Sequence, residues 1–194
     1  MSSFKTPLHI KTSLEWVNVV MSQFDSFLLD HAAAEKKASG MAISMISHYP
    51  DKKHLVEAMA ELAIEEMNHY REVIKIIHSR GLHLQPDSKD LYMNQFRKHM
   101  RKGSDVYFLD RLLIASIVEA RGAERFYLIS QALTDHDLKM FYTQISESEQ
   151  EHYKLFLELA ARYFDSHEVN QRFDELLQLE AGIIATLRIT AALH

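Results

Sequence analysis

Two stretches of this chain carry the same seam of core-type residues, and in both the seam is interrupted by a glutamate and a histidine. In the first, Leu55, Met59, Leu62, Glu66, His69, Val73 and Ile76 follow at intervals of 4, 3, 4, 3, 4 and 3. In the second, Leu138, Tyr142, Ile145, Glu149, His152, Phe156 and Leu159 repeat that rhythm. Such spacing marks the face that a helix turns toward its neighbours in a bundle. An ionised carboxylate on that face costs several kcal/mol unless it is paired or bound to a cation. Glutamate and histidine three apart project from one side of a helix, close enough to share a metal ion. The chain therefore has to fold as packed helices with a charge-compensated interior.

The two Glu-x-x-His pairs lie 83 residues apart, and each trails a further glutamate. Glu35 precedes Glu66 by 31 positions and Glu119 precedes Glu149 by 30. Four carboxylates and two imidazoles in this order are the set with which a helix bundle holds two metal ions. The repeat also separates near neighbours. Glu65, four residues before His69, has Ser148 as its counterpart, so Glu66 is the ligand. Glu119 follows Glu35 by 84 positions, in step with the pairs, whereas Glu124 does not match. The candidate metal ligands are thus Glu35, Glu66, His69, Glu119, Glu149 and His152, and any catalysis runs through the centre they form. Glu61, Glu65, Glu147 and Glu151 read as solvated charges. His31, one turn before Glu35, is either a partner behind that carboxylate or, as the favoured reading, a partly buried structural histidine; Tyr70 and Tyr153 read as packing residues.

Composition agrees with helices. Only 5 Gly and 3 Pro occur in 194 residues, beside 9 Met and many Ala, Leu, Glu and Lys. The length and the 47% hydrophobic content suit a single domain spanning 1–194. Within it, a metal-binding bundle is expected over about 24–164 and an accessory C-terminal helix over about 167–185. Helices are predicted from about Ser13, with a break near Phe24–Asp25, to His48; from Lys52, capped by Asp51, to Arg80; and, shorter, from Asp90 to Arg101. Two more follow, one capped by Ser104 or Asp105 and running to Leu133, the other from Thr134–Asp135 to Phe164, before the last. No segment shows sustained strand alternation, so the class is all-α. No apolar run is long enough to span a membrane, and Met1–Lys11 lacks the apolar stretch of a secretory signal, so a soluble cytoplasmic protein is expected.

The chain has no cysteine, which excludes thiolate zinc sites, iron–sulfur clusters and a cysteine nucleophile. Any metal is bound through nitrogen and oxygen, a donor set suited to iron or manganese. Two iron ions can together deliver two electrons to dioxygen, so oxygen chemistry is the expected activity. The net charge of −5 argues against indiscriminate nucleic-acid binding but leaves room for a local basic patch. Arg97, Lys98, Arg101 and Lys102 supply four cations in six positions. Lys36, Lys37, Arg121 and Arg125 lie close in sequence to the ligand glutamates, where they are expected to line the mouth of the site.

With Glu35, Glu66-Met67-Asn68-His69, Glu119 and Glu149-Gln150-Glu151-His152 in place, the chain resembles the ferritin-like di-iron carboxylate superfamily over roughly Phe24 to Tyr163. The implied fold is a ferritin-like four-helix bundle with additional short helices. Within that superfamily it is most similar to the tRNA 2-methylthio-N6-isopentenyladenosine hydroxylases. The segments Phe27 to Ala38, Ala63 to Tyr70 and Val118 to Arg125 carry this likeness. The resemblance implies a non-haem di-iron monooxygenase that uses O2 to hydroxylate the isopentenyl group of a modified adenosine in tRNA. Two iron ions would sit on the six ligands, tRNA would dock through Arg97, Lys98, Arg101 and Lys102, and a separate reductase would supply electrons. A monomer or small oligomer is expected. A ferritin- or rubrerythrin-like iron-handling or peroxide-scavenging protein is the alternative, although a complete rubrerythrin needs cysteines this chain lacks.

Overall fold

A computed structural model describes residues 4–194; the first three residues of the Met1–Lys11 stretch lie outside the described residues. Seven helices and no strand are found among the described residues: α1 (Leu14–Ser22), α2 (Phe24–His48), α3 (Lys53–Ser79), α4 (Leu91–His99), α5 (Ser104–Ala132), α6 (His136–Tyr163) and α7 (Ser166–Thr186). Among these residues no helix is long and apolar enough to cross a membrane.

Local chemistry sets most of the helix ends. Asp90, Asp135 and Asp165 accept hydrogen bonds from the backbone N–H of Met93, Leu138 and His167, occupying donors that a helix start leaves unpaired. Gly81, just past α3, has φ 73° and donates its N–H to His78 O, a left-handed stop that a side chain would strain. Two expected caps differ. The residue at the start of α3 is Lys52, with no side-chain cap, so Asp51 does not serve. Gly103, at φ 123°, precedes α5, in place of Ser104 or Asp105.

The chain divides into two compact units. One comprises Ser22–Lys89 with Thr190–Leu193; the other comprises the N-terminal residues through Met21, Asp90–Ile189 and His194. In the first, α2 and α3 run antiparallel through the short turn at Tyr49–Lys52. Phe27, Leu28, Ala32, Ala42 and Met45 of α2 and Leu55, Met59, Leu62, Val73 and Ile77 of α3 are buried. The expected seam holds as far as Val73 and then shifts by one residue, since Ile77 is fully buried and Ile76 only partly. An ideal helix drifts against a strict seven-residue repeat, which accounts for the slip. Ser39 Oγ donates to Ala63 O at 2.9 Å and pins the register of the pair.

In the second unit α5 pairs with α6. Ser146 Oγ donates to Ala123 O at 2.8 Å and Ser116 Oγ to Tyr153 O at 3.0 Å, so two hydrogen bonds fix this register. The middle of α5 is buried on nearly every face, from Phe108 to Phe126. Several of its buried residues are charged, and each needs a partner. Asp110 accepts from Arg101 Nε at 3.0 Å and from Arg172 Nε and Nη2 at 2.9 Å each, linking α5 to α7. Burial pushes the Asp110 carboxyl up, but the arginines more than offset it and hold it below the usual range. Arg121 is fully buried between Glu180 of α7, at 2.8 Å, and Glu124, and it also donates to Ile10 O at 2.8 Å. Tyr92 Oη of α4 donates to Glu180 at 3.1 Å. These contacts tie α4, α7 and the N-terminal segment to α5.

Candidate metal centre

Each unit gathers one set of two glutamates and a histidine. In the α2–α3 unit, the inward stripe of α2 presents Glu35 and that of α3 presents Glu66 and His69. Both carboxylates are buried, at 3% and 1% exposure. His69 Nδ1 lies 3.6 Å from Glu35 Oε2 and 3.6 Å from Glu66 Oε2. Each of the three residues offers a ligand atom within 4.8 Å of the others. Glu65, the rival in sequence, reaches His69 Nε2 only at 3.9 Å and is half exposed.

The electrostatics of this set favour a cation. Burial pulls the His69 imidazole pKa down, yet hydrogen bonding and charge from Glu35 and Glu66 outweigh it and raise it to about 10. Burial also works against the Glu35 charge, while His31, His69 and Glu66 together hold its carboxyl far below the usual range. His31 lies at the back of the set, its Nε2 2.5 Å from Glu35 Oε1. Of the two readings of His31, the favoured one, a partly buried structural histidine, is corrected in favour of the other: the ring is fully buried and bonded to Glu35. The signal was the four-residue spacing between them.

In the α5–α6 unit, Glu119, Glu149 and His152 are all buried and bring one ligand atom each within 4.8 Å of the others. His152 Nδ1 lies 3.5 Å from Glu149 Oε2. Glu124 is turned away, accepting from Thr12 N at 3.1 Å and Thr12 Oγ1 at 2.8 Å and pairing with Arg121. Two carboxylates and one imidazole per unit, free of sulfur and buried except for the partly exposed His69, are a donor set that fits iron or manganese. A buried Glu/His cluster able to hold metal is therefore present.

The basic residues separate into two classes. Arg97 and Lys98 are exposed on α4, where they donate to the uncharged side chains of Asn94 at 3.1 Å and Gln95 at 3.3 Å. Lys102 is exposed beyond them. Arg101 is committed to Asp110, at 2.8 Å. The expectation that Arg121 and Arg125 line a mouth is overturned. Arg121 is 0% exposed inside its carboxylates, and Arg125 is 7% exposed with its guanidinium 4.7 Å over the Trp16 ring. Lys36 is half exposed and paired with Asp87 at 2.7 Å.

Comparison with known proteins adds the lineage. The model of the family described as tRNA-(MS[2]IO[6]A)-hydroxylase (MiaE) matches residues 1–194. The chain is 32% identical over 154 residues to the tRNA 2-(methylsulfanyl)-N(6)-isopentenyladenosine(37) hydroxylase of Pseudomonas putida, covering 79% of this chain and 75% of that protein. It is 27% identical over 155 residues to the Salmonella typhimurium protein of the same name, covering 80% of this chain but only 56% of that protein. Among solved structures, a Synechococcus protein with aldehyde deformylating oxygenase activity superposes with a TM-score of 0.90 at 30% identity, covering 95% of this chain and 92% of that one. The fold is accordingly all-α and ferritin-like, with the Glu and Glu-x-x-His residues on the long helices of each unit. By the match along its whole length, the chain belongs to the tRNA-(MS[2]IO[6]A)-hydroxylase (MiaE) family.

Proposed function

We propose that this protein is an O2-dependent monooxygenase that hydroxylates the isopentenyl group of 2-methylthio-N6-isopentenyladenosine in tRNA. The observation that carries the reading is the pair of Glu, Glu, His sets, buried but for the partly exposed His69, in a chain of this family. Glu35, Glu66 and His69 would hold one iron ion and Glu119, Glu149 and His152 a second, with the chain acting as one ferritin-like domain. Two bound iron ions would supply the two-electron redox chemistry by which dioxygen hydroxylates an allylic C–H bond, which side chains alone cannot do. Overall, R–H, O2, two electrons and two protons give R–OH and water, and a separate reductase delivers the electrons.

The remaining roles fall to the protein. The carboxylates balance the metal charge, and the apolar residues around them keep water from the reacting group. Arg97, Lys98 and Lys102 offer exposed cations to tRNA phosphates, with Arg101 behind them on Asp110. The modified base has to leave its stack, because its prenyl group must reach a buried centre. A monomer or small oligomer in the cytoplasm, where tRNA is found, suits this reading. The test is mass spectrometry of tRNA nucleosides from cells that carry or lack the protein. The hydroxylated nucleoside should appear only with the wild-type chain, and Glu66→Ala and Glu149→Ala should each abolish it while lowering the bound iron. Undiminished product from both variants would refute the assignment.

A further inference from the structure

The two sets have the same ligand types but differ behind the ligands. In α2, His31 stands one helical turn before Glu35, fully buried, with its ring stacked on Phe27 at 5.9 Å between centroids. The counterpart position in α5, four residues before Glu119, is Ala115, which carries no donor. The Glu35 carboxylate divides its two oxygens. Oε1 accepts from His31 Nε2 at 2.5 Å, while Oε2 is the oxygen 3.6 Å from His69 Nδ1. One oxygen is thus anchored to the protein and the other is turned toward the remaining ligands.

An imidazole inside an apolar stripe costs free energy that an aliphatic side chain of similar size would not, unless its nitrogens are hydrogen-bonded. Its bond to Glu35 supplies the compensation. It also removes rotational freedom from a carboxylate that otherwise has to be ordered when metal binds. We propose that His31 is a positioning residue, which holds Glu35 with Oε2 presented to metal and makes the two metal positions of the chain chemically inequivalent. This rests on the reading of Glu35 as a metal ligand.

The test is an anaerobic titration of metal-free protein with cobalt(II), followed by its visible absorption, which reports each coordination sphere without turnover. Wild type should take up two ions. In His31→Leu, which keeps the bulk and removes the donor, one of the two steps should weaken about 10- to 100-fold and the other stay within about twofold. His31→Gln, whose amide N–H reaches the same oxygen, should restore the weakened step. Should the leucine variant fail to fold, His31→Asn, polar but too short to reach Oε1, takes its place in the comparison. Two unchanged steps, two steps weakened together, or a glutamine variant as weak as the leucine one would each overturn the proposal. Wild-type protein that takes up fewer than two cobalt ions would overturn the metal reading itself, and this inference with it.

Discussion

His69 is where the chemistry of a single residue can be read most directly. Its pKa is raised from 6.5 to about 10 by Glu35 and Glu66, which prevail over the opposing effect of burial. A pKa raised in the folded state stabilises it: the contribution is complete below about pH 6.5 and is lost as pH climbs toward about 10. A metal ion must displace that proton, so uptake at this position should tighten with rising pH over the same window, by about tenfold per pH unit for one proton released. Cobalt titrations near pH 6.5 and pH 8.5 should show this for one step, and His69→Gln should remove it. An affinity independent of pH would mean that the imidazole is not the group displaced. The candidate ligands were legible because Glu-x-x-His is a local pattern repeated on a core stripe. The bond from His31 to Glu35 was visible only as a spacing, since whether a histidine four residues away turns inward depends on what packs against it.

At the scale of elements, buried ion pairs hold α5 in its unit. Arg121 and Glu180 are each 0% exposed and 2.8 Å apart, linking α5 to α7. Removing one partner of a buried pair leaves an uncompensated charge, at a cost of about 3–5 kcal/mol. Glu180→Ala should therefore lower the melting temperature on the order of 10 °C for a chain of this size. Glu180→Gln, which retains an acceptor for Arg121 and Tyr92, should lower it less. A melting curve unmoved by the alanine would show that Glu124 alone satisfies the arginine. None of this network was legible in advance. Helix boundaries follow from neighbours in sequence, such as the Asp90, Asp135 and Asp165 caps, whereas Arg121 finds Glu180 and Ile10 across long stretches of chain.

For the whole molecule, a net charge of −5 has to coexist with a polyanionic substrate. On the proposed reading, exposed cations on one segment would answer that need, since each phosphate contact adds affinity that salt removes. Replacing Arg97, Lys98 and Lys102 together by glutamate should weaken tRNA binding and reduce the salt slope by about three, one per lost contact. The cobalt titration of that variant should be unchanged. Normal binding and hydroxylation would place the docking surface elsewhere. Arg101 is left intact in this design because a glutamate there would face Asp110 and unfold the surface being tested.

The sequence by itself determined the all-α class, the extent of the long helices to within a few residues, and the six residues that the two units collect in threes. All of these follow from periodicity and spacing along one helix, where the backbone alone sets which side chains share a face. Tertiary structure decided which charges are offered to solvent and which are consumed inside. Four basic residues placed together by sequence became three exposed cations and one tied to Asp110, and Arg121 and Arg125 left the surface altogether. The physical reason is that a buried charge takes whichever partner packing brings to it, and those partners came from other helices and the N-terminal segment.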